Sequence, residues 1–154
     1  VRRLILIGLG LAALGGCATT ERVGPEMTWG LFEDPQEGAK LVLGVPETDN
    51  VRMMLVCRPR SGEVEVTIVG RIGDPAAVEL RSGKVSHVYA GAGHADEETG
   101  GALDIELKAP VTDPVMARLA DTGELTLVFP TRRIVLPNAF SQAHDFLNIC
   151  RPRI

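Results

Sequence analysis

Two short stretches alternate so regularly that they limit the folds this chain can reach. Leu103, Ile105 and Leu107 are interleaved with Asp104, Glu106 and Lys108, and Val64, Val66 and Ile68 with Glu63, Glu65 and Thr67. Side chains of a strand point to its two faces in turn, so this spacing collects the apolar groups on one side and the polar ones on the other. Such a strand covers a core with one face and meets water with the other. Antiparallel sheets allow that arrangement, whereas all-parallel sheets are normally covered on both faces.

Further short runs lie between turn-forming residues. Met27 to Phe32 predicts a strand with Trp29 and Leu31 on one face, and Ala39 to Val45 a second that ends at Pro46. Val51 to Cys57 and Glu63 to Val69 read as two arms of a hairpin around Arg58-Pro59-Arg60-Ser61-Gly62, with Cys57 on the same side as Val51, Met53 and Leu55. Val78 to Leu80 and Lys84 to Ala90 flank a Ser82-Gly83 turn, and Glu124 to Phe129 and Arg132 to Leu136 flank Pro130-Thr131. The chain has one Trp and one Tyr, so its core must be aliphatic; 17 glycines and 10 prolines favour many short elements over a few long helices.

Two helices interrupt this series. Asp113-Pro114 places a capping carboxylate before a proline suited to the first helical position, and Gly123 stands where a left-handed residue closes the last turn. Val115, Met116 and Leu119 should face inward. Pro137-Asn138 opens the second helix, in which Phe140, Ala143, Leu147 and Cys150 recur at helical spacing on the side expected to be buried. The expected fold is α+β, a mainly antiparallel sheet or small β-sandwich with two short helices, one of them C-terminal, over residues 27–154.

The N-terminal stretch is of another kind. Arg2 and Arg3 precede an apolar run from Leu4 to Leu14, and Gly15 and Gly16 stand before Cys17. The run is shorter than the roughly twenty residues needed to cross a bilayer as a helix, which favours a cleaved leader over a membrane span. Leu14-Gly15-Gly16-Cys17 resembles the lipobox of bacterial lipoproteins. The resemblance implies a signal peptide at residues 1–16, a diacylglycerol on the Cys17 thiol and an acyl chain, such as palmitate, on its new amine. An ordinary secretory signal cut after Ala18 is the alternative that the small residues leave open. Ala18 in place of an aspartate after the modified cysteine implies the outer membrane, facing the periplasm. Residues 17–26, polar and carrying Gly24-Pro25, then read as a tether.

Cutting before Cys17 removes two of the sixteen basic residues and none of the twenty acidic ones, leaving a formal charge of −6. That balance disfavours nucleic acid and electrostatic attachment to anionic lipid. It leaves Cys57 and Cys150 in a compartment where disulfides persist, and a bond between them is the expectation, against two buried free thiols.

Little here points to chemistry. His94, Asp96, Glu97 and Glu98, with His87 on the preceding strand, are a candidate for holding a divalent cation, but the spacing matches neither a zinc motif nor a calcium loop. The flanking glycines from Gly91 to Gly101 predict an exposed acidic loop. Ser141, His144 and Asp145 suggest a triad that their adjacency on one helix discourages. No metal, cofactor or catalytic residue is therefore expected.

Two further resemblances concern pattern. Gly44 to Asn50 followed by a strand ending at Cys57 is similar to a recurring arrangement in small exported bacterial proteins, implying kinship of fold. The order helix, strand, strand and terminal helix from Asp113 to Cys150 resembles the C-terminal part of type VI secretion-associated periplasmic accessory proteins, implying an accessory role in the envelope. Together these lead to a non-enzymatic, membrane-anchored envelope lipoprotein. It would hold membrane lipid through Cys17 and bind a protein or peptidoglycan partner. An anchored hydrolase or metal-dependent enzyme using the His87 and His94 region is the alternative.

Overall fold

The computed structural model describes residues 18–70, 77–96 and 102–153. Among them the chain forms eleven strands and two helices. In order these are β1 (Thr19–Arg22), β2 (Thr28–Asp34), β3 (Gly38–Gly44), β4 (Val51–Cys57), β5 (Glu63–Ile68), β6 (Ala77–Ser82), β7 (Val85–Ala90), β8 (Ala92–Asp96) and β9 (Ala102–Pro110). Then follow α1 (Pro114–Thr122), β10 (Thr126–Val128), β11 (Arg132–Val135) and α2 (Phe140–Cys150).

The fold is α+β, with two mostly antiparallel sheets. One has five strands in the order β1-β11-β10-β6-β7, the other six in the order β2-β3-β4-β5-β9-β8. The chain crosses from the first to the second between β1 and β2 and again at Gly91, between β7 and β8, which are edge strands of their respective sheets. The alternation of β5 and β9 does what its period dictates. The two strands pair in register, Val66 opposite Leu107 and Ile68 opposite Ile105, with those four side chains buried and Glu63 and Glu65 in water.

Leu41 and Leu43 of β3, Met53 and Leu55 of β4, and Leu80 and Leu127 of the five-stranded sheet share one core with the helices. α1 contributes Val115, Met116, Leu119 and Ala120, and α2 contributes Ala143, Phe146, Leu147 and Cys150. Each large aliphatic side chain removed from water contributes about 1.5–3 kcal/mol, so an aliphatic core suffices without many aromatics. Of the buried aromatics, Trp29, Tyr89, Phe129 and Phe146, the first lies on β2, where its indole Nε1 donates to the Pro137 carbonyl at 2.8 Å.

The ends of β4 and α2 meet at the cysteines. The Cys57 and Cys150 sulfurs are at bonding distance, 1.97 Å, with their Cα atoms 5.8 Å apart. Backbone bonds flank the junction: Arg60 N donates to the Ile149 carbonyl and Gly62 N to the Cys150 carbonyl, both at 2.9 Å. The loop between β4 and β5 thus closes over the end of α2.

Three expectations are corrected. Thr19–Arg22, expected to belong to a tether, forms β1 and pairs in parallel with β11, Thr19 opposite Arg132 and Arg22 opposite Val135. All four residues are exposed, so backbone pairing rather than side-chain burial holds them, and no hydrophobic pattern announces the strand. Ala92–Asp96, expected in a loop, forms β8 along the free edge of β9. Phe140, expected inward, is 54% exposed. It starts α2 where the chain turns against Gly123, and Phe146 fills the core instead.

Candidate functional site

Among the described residues, the arrangement closest to chemistry is built from β7 and the start of α1. Val85, His87 and Tyr89 share the inward side of β7, an edge strand, so His87 stands at the rim of the core while Tyr89 is buried within it. Asp113 precedes Pro114 as the cap of α1, and its Oδ1 accepts from Val115 N at 2.8 Å. Its second oxygen, Oδ2, lies 2.5 Å from His87 Nδ1, and the carboxylate is buried whereas the imidazole is half exposed. One carboxylate therefore caps a helix and holds a ring on the neighbouring strand.

The imidazole stacks on Tyr89, with ring centroids 4.5 Å apart and planes 17° from parallel. The Tyr89 hydroxyl is buried without a well-formed hydrogen bond. Burial, and after it the Asp113 carboxylate beside the ring, pushes the phenol well above its ordinary range, because both disfavour a phenolate. Tyr89 stays neutral.

An imidazole oriented through Nδ1 by a carboxylate leaves Nε2 for proton transfer, the geometry of a general base. Among the described residues, no hydroxyl or thiol nucleophile bonds to His87. The depressions lined by Glu65, Thr67 and Glu106, of about 260 Å³, and by Arg22, Glu124 and Asn138, of about 420 Å³, lie elsewhere on the surface. The cluster is sufficient as a structural clasp between β7 and α1.

The residues singled out by sequence separate. His87 is in the five-stranded sheet; His94 and Asp96 are on β8 of the six-stranded one, opposite Asp104 and Ala102. Glu97, Glu98 and Cys17 lie outside the described residues. Among the described residues no group of three or more His, Cys, Asp or Glu is placed to hold a metal ion. Ser141 Oγ contacts Gln142 Oε1 at 2.9 Å, and His144 lies tilted beside Phe140, so the three polar residues of α2 do not assemble into a triad. Sequence reasoning missed Asp113 as the partner of His87. Its only signal was its place before Pro114, which accounts for the cap and not for the imidazole.

The outward face of the six-stranded sheet carries a second feature. Phe32 is 59% exposed and its ring lies over Gly30, so that a Cβ on Gly30 would meet Phe32 Cε2 at 2.8 Å. With Val42 and Val51 it lines a shallow apolar depression of about 170 Å³ beside the edge strand β2. Towards β9 the same face becomes charged, and Glu65 and Glu63 hold the Lys108 ammonium above its ordinary range.

The fold and clasp define an α+β domain of two sheets in which the Cys57 and Cys150 sulfurs lie at bonding distance. Comparison adds no relative: no family model, no curated protein and no solved structure matches the chain.

Proposed function

We propose that this is a lipid-anchored protein of the bacterial envelope that binds a protein or cell-wall partner and does not catalyse a reaction. The observation that carries it is the Cys57–Cys150 pair. Two sulfurs at bonding distance join distant parts of the core, and such bonds persist outside a reducing cytosol. A chain of that compartment whose N-terminal segment ends in Leu14-Gly15-Gly16-Cys17 has a ready means of attachment. The apolar depression at Phe32 is a surface a partner can cover.

The test has two arms. Intact-mass measurement of the native protein should find a mature start at Cys17 bearing acyl mass, absent from Cys17→Ala. A photoreactive amino acid at Phe32, irradiated in cells, should give crosslinked species that the same probe at Asp145, on the outward side of α2, does not. An uncut leader or an unacylated start removes the anchor, and equal crosslinking at the two positions removes the binding surface.

The second reading, an anchored hydrolase, draws on the 2.5 Å approach of His87 to Asp113. It requires turnover of an ester or amide substrate that is lost in His87→Gln while the fold persists.

A further inference from the structure

We propose that the outer face of the five-stranded sheet docks on anionic phospholipid, so that the domain lies flat on the membrane instead of hanging from it. The inference rests on acylation of Cys17. It follows from how little chain separates that residue from the sheet. Ala18 alone stands between Cys17 and β1, and two residues reach at most about 7 Å. β1 is not a tether but the edge of the sheet, fixed to β11 from its first residue, and Thr19 N donates to the Thr131 carbonyl at 3.1 Å. Lipid on Cys17 therefore brings this sheet, and not the other, to the bilayer surface.

The strand registers then decide what faces outward. One row across the sheet is Thr20, Arg133, Val128, Glu79 and Val88; the next is Arg22, Val135, Thr126, Arg81 and Ser86. These rows carry three arginines and one glutamate in a chain whose net charge is −4. The glutamate is spoken for: Arg81 Nη2 lies 2.6 Å from Glu79 Oε1 and holds that carboxyl below its ordinary range. Arg22 and Arg133 are exposed, and Val88, 60% exposed, adds an apolar group at the far edge. The outward face of the other sheet sets Glu63, Glu65 and Glu106 around Lys108, which an anionic surface repels. The chain's net acidity, which by itself argues against lipid binding, is thus outweighed on this face by arginine.

Each basic residue near an anionic bilayer strengthens attachment about fivefold at moderate salt, and an anchor already holds the face at high local concentration. Three arginines against one glutamate leave this face a net positive charge, which with a covalent anchor favours the docked orientation.

The test uses the mature acylated protein in vesicles of phosphatidylglycerol with phosphatidylethanolamine, and of phosphatidylcholine. An environment-sensitive fluorophore is placed at Ser86→Cys, or at Glu65→Cys on the opposite face. Ser86 lies four strand spacings from β1, about 19 Å, so the anchor alone does not carry it to the surface. Quenching by headgroup-labelled lipid should be strong at residue 86 and weak at residue 65 in anionic vesicles. It should fall at residue 86 in phosphatidylcholine or at high salt. Arg22→Gln with Arg133→Gln, both exposed and harmless to the core, should lower the docked-to-undocked ratio about 30-fold. Equal quenching at 86 and 65, or quenching at 86 indifferent to lipid charge and to the double variant, overturns the proposal while leaving the anchor intact. Should the mass show Cys17 unmodified, the labelled full chain added to vesicles from solution decides separately: contact at 86 with anionic vesicles alone sustains the docking face, and none overturns it.

Discussion

The indole of Trp29 and the carbonyl of Pro137, 108 positions apart in sequence, are joined by a 2.8 Å hydrogen bond. It ties the edge strand of the six-stranded sheet to the turn that opens α2. Trp29→Phe keeps most of the apolar area but leaves a carbonyl unpaired, which costs about 1–3 kcal/mol. Circular dichroism should show a Tm several degrees lower. Since Trp29 is the only tryptophan, its fluorescence reports this junction in the parent protein, and a Tm unchanged by the substitution would refute the role given to the bond.

The Cys57–Cys150 link closes a loop with a sequence separation of 93. In the chain-entropy account, constraining a loop of that length stabilises by about 4–5 kcal/mol. Cys57→Ser with Cys150→Ser, or reduction of the parent, should lower the urea midpoint by a matching amount. The double variant should also be insensitive to dithiothreitol. A parent protein indifferent to reductant would show that the two sulfurs are not bonded.

Gly123 has φ +68°, and a Cβ there would stand 2.2 Å from Phe140 N and 2.7 Å from Asn138 Oδ1. Both obstacles belong to the junction between β11 and α2: Asn138 Nδ2 donates to the Thr122 carbonyl at 2.8 Å, and its Oδ1 accepts from Phe140 N at 3.0 Å. Gly123→Ala meets the left-handed penalty of about 1–2 kcal/mol and a backbone clash besides. The expected loss by denaturant unfolding exceeds the penalty alone; a loss under about 0.5 kcal/mol would contradict the close packing seen here.

Local chemistry was legible, and the pairing of distant strands was not. Asp113-Pro114 and Gly123 marked α1 because caps act within a turn, and the alternation of Val64 to Ile68 marked β5 because burial imposes its period. β1 and β8 left no such trace. Thr19–Arg22 and Ala92–Asp96 are strands because β11 and β9 offer unpaired edges to their backbones, a reason that lies outside their own residues. The same limit hid the His87–Asp113 contact and the gathering of Arg22, Arg81 and Arg133 on one face, since both depend on the order of strands in the sheet.

Asp113 serves two partners, and substitutions separate them. Asp113→Asn keeps a side-chain oxygen for Val115 N, so the cap survives while the charge facing His87 is lost; Asp113→Ala loses both. A cap is worth about 1 kcal/mol, so the alanine variant should be less stable than the asparagine one by about that amount. Combining each with His87→Ala isolates the clasp: the loss from His87→Ala should shrink in the Asp113→Asn background. Full additivity would mean that the two side chains do not interact.

Tyr89 gives the fold a limit on its alkaline side. An unfolded tyrosine titrates near pH 10, whereas burial and then the Asp113 carboxylate raise the folded value above that. Below about pH 10 both states hold the proton, and this contribution to stability is complete. Above it the unfolded chain releases the proton first, so it binds fewer protons than the native state. Stability then falls with rising pH, by up to about 1.4 kcal/mol per unit, until the folded phenol also ionises. Lysines titrate in the same range, so the informative quantity is the difference from Tyr89→Phe, whose urea midpoint should fall less steeply between about pH 10 and 11.5. As Tyr89 is the only tyrosine, phenolate absorbance in the near ultraviolet follows it without ambiguity. In the native protein that absorbance should stay low until the chain unfolds; a smooth rise centred near pH 10 with the fold intact would place the ring in water and refute the packing described here.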